Sequence, residues 1–64
     1  MTIEEMQIIA KADAVRLRKA RALSRKGWAT HGRVNVIYYP NCDRFAYFLD
    51  SRRVNRADIE ELVA

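Results

Sequence analysis

Sixty-four residues allow a single domain, residues 1–64, and a chain this short buries only about 60% of the surface its unfolded form exposes. Regular packing or oligomerisation must support so thin a core, because one cysteine, Cys42, closes no internal disulfide and one histidine, His31, leaves no Cys/His set for structural zinc. A net charge of +4 and a pI near 9.7 favour a polyanionic or acidic partner without deciding between them.

Half of the residues are hydrophobic and 31% are charged, the balance of a folded rather than a disordered chain. No apolar run approaches the roughly 20 residues that span a bilayer, and Met1-Thr2-Ile3-Glu4-Glu5 is acidic where a secretory signal is basic. The expected compartment is therefore the cytoplasm, with no membrane partner, and a lone reduced thiol fits it.

Thr2 and Glu5 stand in the S/T-x-x-E relation of a capping box, and no Gly or Pro follows until Gly27, so the pattern predicts a helix over about Ile3 to Lys26. Early acids (Glu4, Glu5) and late bases (Arg21, Arg25, Lys26) complement its dipole, and Gly27 suits a helix end. At about 1.5 Å per residue it would reach roughly 36 Å, against about 28 Å for a compact chain of this size, and so overhang its own domain. Ile3, Met6, Ile9, Ala10, Ala14, Leu17 and Ala20 form one apolar stripe, interrupted by Asp13, while Ile8, Ala12, Val15 and Ala22 form a second. Two stripes call for two neighbours: the hairpin that follows and, for the second, another copy of the same helix. A bend near Asp13 is the competing account of both the excess length and the charge.

From Trp28 the period changes from 3.6 to 2. Arg33–Tyr39 and Arg44–Leu49 are rich in strand formers, and Pro40-Asn41-Cys42-Asp43 between them has turn chemistry, which predicts an antiparallel hairpin. Asp50-Ser51-Arg52 turns the chain again and Arg53-Val54 offers a short third strand. Asn55 then caps a terminal helix with Ile59, Leu62 and Val63 inward. The expected fold is α+β: a long N-terminal helix on a two- to three-stranded antiparallel sheet, closed by a short C-terminal helix.

The strongest functional signal is basic. Lys11, Arg18 and Arg25 recur at seven-residue spacing, and with Arg16, Lys19, Arg21 and Lys26 they form a cationic stripe able to follow a phosphate backbone, with Arg33 and Arg44 nearby. The plainer account is that bases near a helix C-terminus suit its dipole and keep an Ala-rich helix soluble. Every aromatic residue lies between Trp28 and Phe48, which suggests a second surface. Aliphatic residues share both strand faces with the aromatics. That mixture fits core packing or a protein interface better than a base-stacking platform, whose aromatics would be bordered by polar groups. The expected protein interface is Ile8, Val15, Ile37, Tyr39 and Phe48.

His31 and Cys42 lie too far apart along the predicted strand to form a pair, and neither has a catalytic neighbour in sequence, so both read as exposed and inert. The order helix, Gly-Trp, hairpin, short strand and helix resembles the HicA-type RNA-cleaving toxins, which follow a Gly-Trp with a Gly-Ser-His catalytic strand. Here Gly27-Trp28-Ala29-Thr30-His31-Gly32 lacks the Gly-Ser-His and the first helix is longer. The resemblance implies an RNA-directed role for His31 as a distant alternative.

The sequence thus points to a non-enzymatic regulatory or accessory module, expected as a homodimer, that contacts nucleic acid or a nucleic-acid-handling protein. The alternative is a protein-binding inhibitor or adaptor of the kind phages and mobile elements encode. Nothing in the chain implies a cofactor, a metal or a small-molecule substrate.

Overall fold

The computed structural model describes every residue except Ser24 and Ala64. Helix α1 (Ile3–Lys19) opens with the expected capping box: Glu5 N–H donates to the Thr2 hydroxyl (3.2 Å) and Thr2 N–H donates to the Glu5 carboxylate (3.3 Å). It stops well short of Lys26. Arg21 adopts φ 56°, Arg21 N–H donates to the Arg18 carbonyl and Ala22 N–H to the Leu17 carbonyl. That pair of bonds is a Schellman stop, built here without glycine. At 17 residues α1 is about 25 Å long, inside the 34 Å long axis of the molecule, so the expected overhang does not occur. Ser24, within the predicted helix, lies outside the described residues.

Four strands follow, β1 (Gly27–His31), β2 (Val34–Tyr39), β3 (Arg44–Leu49) and β4 (Arg52–Val54), and then α2 (Arg56–Val63). The strands form one antiparallel meander in the order β1-β2-β3-β4, four where the sequence suggested two or three. The architecture is α+β. The missing strand is β1, joined to β2 by a two-residue turn with Gly32 at φ +60°, the glycine-first pattern of a tight hairpin. Asp50 and Ser51 make the β3–β4 turn with both residues at positive φ (50° and 67°).

The early stop of α1 has a tertiary cause. β1 runs directly beneath the helix, and a Cβ on Gly27 would lie 2.7 Å from the Ala14 nitrogen and closer still to the Ala10 carbonyl oxygen. The chain must reverse after Lys19 to bring Gly27 there, and this packing outweighs the helix preference of residues 20–26. Asp13 holds the return in place: its carboxylate accepts the Trp28 N–H at 3.0 Å and the Arg16 guanidinium at 2.7 Å. The charge on the apolar stripe is thus a bracket between helix and sheet and does not mark a bend.

Ile3, Met6 and Ala10 of α1, Ala29 of β1, Val34 and Val36 of β2, and Ile59 and Val63 of α2 form the core, with Tyr38, Phe45, Tyr47, Leu49 and Val54 packed around it. Leu62, expected inward, is exposed, and so is Ile9. Arg56 ties the helices together, donating to Glu4 at 2.6 Å and to Glu60 at 2.8 Å. At the start of α2, Asn55 N–H donates to the Asp58 carboxylate at 2.9 Å. No helix among the described residues is long and apolar enough to cross a membrane.

Candidate nucleic-acid interface

α1 runs toward the end of the sheet where β1 begins, β2 ends and β3 begins, and that end collects the cations. Lys11, Arg18 and Arg25 line one cleft of about 530 Å³, with Val15, Tyr38 and Asn41 among its other walls. Their seven-residue spacing would have set them in a row along one helix. Instead Arg25 arrives on the returning segment and faces the other two across the cleft. Lys11 is partly engaged, 3.9 Å from Asp43 and 5.5 and 5.7 Å from the ring centres of Tyr38 and Phe45. The Tyr38 hydroxyl donates to Asp43 at 2.6 Å, and that bond, with desolvation, raises its pKa above the usual tyrosine value.

The expected basic residues separate into paired and unpaired groups. Arg16 is bonded to Asp13, whose pKa falls below the usual carboxylate value, first through the Trp28 N–H and then through Arg16. Arg33 sits at the opposite end of the sheet, where its Nε lies 2.9 Å and 3.0 Å from the two Asp50 oxygens. Asp50 raises the Arg33 pKa and Arg33 lowers that of Asp50. Arg33 therefore joins two turns and does not reach the basic end. Among the described residues, Arg18, Lys19, Arg21, Arg25, Lys26 and Arg44 have no acidic group within 4.0 Å. Glu4, Glu5, Asp58, Glu60 and Glu61 gather at the other end, around the start of α1 and α2.

The residues expected at a protein interface also divide. Ile8 and Val15 project from the outer side of α1, 67% and 53% exposed, beside the exposed Ala12. Ile37 lies on the sheet face away from the helices but is only 4% exposed, because its own neighbours cover it. Tyr39 and Phe48 share that open face, half-buried.

The open face also holds residues outside the expected sites, although Trp28 belongs to the aromatic stretch that suggested a second surface. Trp28 and Thr30 of β1, Asn35 of β2 and Arg53 of β4 alternate onto it with Ile37, Tyr39, Arg44, Ala46 and Phe48. The Thr30 hydroxyl donates to Asn35 Oδ1 at 2.6 Å, and the Lys26 ammonium lies 5.7 Å from the Tyr39 ring centre. Recognising β1 was the necessary signal, since without it neither Trp28 nor Thr30 has an assigned face. His31 ends β1, exposed, and Cys42 is exposed in the β2–β3 turn at the other end of the sheet. No group of His, Cys, Asp or Glu among the described residues is arranged to hold a metal ion. Comparison with protein-family models, curated proteins and solved structures found no match.

Proposed function

We propose that the chain is a small non-enzymatic accessory module of the cytoplasm that contacts nucleic acid, or a protein machine carrying it, through its basic end. The observation that carries this is the crowding of Arg18, Lys19, Arg21, Arg25, Lys26 and Arg44 at one end without acidic partners within 4.0 Å among the described residues. Confining cations that closely costs free energy by mutual repulsion, which a polyanion relieves while releasing its own counterions. The cleft between Lys11, Arg18 and Arg25 is concave enough to seat a phosphate group between side chains from two segments.

Fluorescence anisotropy with labelled duplex DNA, single-stranded DNA and RNA at several salt concentrations tests the proposal. With four or five phosphate contacts on duplex DNA, log affinity falls against log salt with a slope of about −4. Charge reversal at Arg18 and Arg25 weakens binding to all sequences alike, whereas His31→Ala leaves it intact. Absence of binding at low salt to all of these would defeat the proposal.

A second reading rests on the exposed Ile8, Ala12 and Val15 stripe, which is apolar, continuous and directed away from the sheet. Through it the chain would pair with a second copy, or with a protein target as an inhibitor or adaptor. Ile8→Gln with Ala12→Gln would abolish such association in sedimentation and, both positions lying outside the walls of the basic cleft, leave nucleic-acid affinity unchanged.

A further inference from the structure

The open sheet face contains a hollow of about 210 Å³, floored by Ile37 and bounded by Trp28, Asn35, Phe48 and Ser51. Trp28 is opposite Ile37, and Phe48 is opposite Asn35, so the two rings stand two strands apart and one pleat repeat apart along the strands. Strand spacing of about 4.8 Å and a repeat of about 6.8 Å put their backbone positions roughly 12 Å apart, so the two side chains bound the hollow from different strands. Trp28 is 49% exposed, a large apolar surface left in water beside a recess.

The polar group in that recess is oriented. Asn35 Oδ1 accepts the Thr30 hydroxyl, and the amide nitrogen, with two donors, has no protein acceptor among the described residues. Lys26, Arg44 and Arg53 border the same face, and none has an acidic partner among the described residues. The carboxylates nearest its rims are already engaged, Asp43 with Tyr38 and Lys11, and Asp50 with Arg33.

Aromatic rings around a recess, an amide with free donors and a cationic border match the separate parts of an unpaired nucleotide: a base plane, a carbonyl edge and a phosphate. We propose that this face binds single-stranded nucleic acid, seating one unpaired base between Trp28 and Phe48, with the Asn35 amide donating to a base carbonyl and Lys26, Arg44 and Arg53 following the backbone. The proposal rests on the nucleic-acid reading above and names the form of nucleic acid that the protein selects. A second copy fits this face poorly, because pairing it with itself sets one cationic border against another with no acid to offset either. In a duplex the base planes are stacked and out of reach of the hollow, so a double strand engages the basic end alone.

Trp28 is the only tryptophan, so its emission reports on the hollow directly. A roughly ten-nucleotide oligothymidylate or oligouridylate is expected to quench Trp28 emission on titration, and a duplex of equal length is not. In anisotropy, Trp28→Ala and Phe48→Ala each weaken single-strand binding by about tenfold and leave duplex binding unchanged, whereas Trp28→Phe retains most of the affinity. Asn35→Ala narrows the difference in affinity among homopolymers. Circular dichroism of each variant confirms that the fold is kept.

Equal single-strand affinity in the parent, Trp28→Ala and Phe48→Ala would overturn the stacking site and leave the basic-end proposal standing. Failure of every nucleic acid to bind at low salt would remove both. A dimer in sedimentation that Trp28→Ala dissociates would assign the face to self-association and overturn the proposal as well.

Discussion

The two faces of the sheet use the same strands and similar residues, and they end in different environments. On the covered face Val34 lies opposite Leu49, Val36 opposite Tyr47 and Tyr38 opposite Phe45, and α1 and α2 close over them. On the open face Asn35 lies opposite Phe48, Ile37 opposite Ala46 and Tyr39 opposite Arg44. What separates them is the spacing of small residues elsewhere. Gly27 meets Ala10 and Ala14 and Ala29 is buried on the same face, so helix and sheet approach closely on one side only. The close α1–β1 contact demands small side chains, while Tyr38, Phe45 and Tyr47 fill the rest of the covered face and the open face carries large residues with charged neighbours. Aromatic content therefore says little about burial, and the Gly and Ala positions that allow close approach say much.

The largest test removes that approach. Gly27→Ala places a methyl group against the backbone of Ala10 and Ala14, which cannot yield as a flexible side chain would. The cost should exceed the usual range of about 1–3 kcal/mol for overpacking, enough to unfold most of a small domain at 37 °C. Thermal denaturation checks it, and a parent-like midpoint would mean that the helix does not rest on β1. The next test compares the faces directly. Met6 is fully buried, and Met6→Ala should cost about 2–5 kcal/mol in urea denaturation. Phe48→Ala, half-buried on the open face, should cost only about 1 kcal/mol, roughly half of the transfer free energy of a phenyl group. Equal losses would show that something covers the open face even in the free protein.

Asp13 joins helix to sheet at the edge of the covered side, and its contribution depends on pH. The Trp28 N–H and Arg16 lower its folded pKa, so the stabilisation is present above the unfolded value of about 3.9 and disappears as pH falls through the folded value. Asp13→Asn should cost about 1 kcal/mol at neutral pH, and the gap from the parent should begin to narrow below about pH 4 and close as pH falls through the lowered folded value. A gap that stays constant across that range would assign the effect to the shape of the side chain and not to its charge.

Features that depend on neighbouring residues were legible in the sequence. The Thr2–Glu5 capping box, the Pro40–Asp43 turn, strands β2 and β3 and the inward Ile59 and Val63 all follow from local chemistry. The end of α1 did not, because residues 20–26 contain no breaker and the chain leaves the helix only to lodge Gly27 beneath it. β1 was hidden for the same reason: Gly27 and Ala29 are weak strand formers chosen for close packing. The basic cluster was visible as composition, but its division was not. Whether Arg16 or Arg33 has a partner depends on where Asp13 and Asp50 lie in space, and Arg53 and Asn35 gain meaning only once the open face is known.

The smallest expected effect has the opposite sign and concerns how the covering helix ends. Arg21 carries φ 56°, a left-handed conformation that crowds the Cβ of any ordinary residue and that glycine adopts freely. Arg21→Gly relieves that crowding but also widens the unfolded ensemble, so the two contributions partly cancel and the net gain should be about 0.5 kcal/mol. The sign is the informative part. A higher denaturation midpoint with unchanged slope would support a stop after Lys19 that packing imposes against local preference. A loss of stability would instead favour a helix running on toward Lys26 in solution, which would lift Gly27 away from Ala10 and merge the returning segment into the helix. The same variant deletes one cation from the basic end, so its nucleic-acid affinity should fall modestly while its stability rises. The two readouts move in opposite directions only if the helix stop and the basic cluster are both as described.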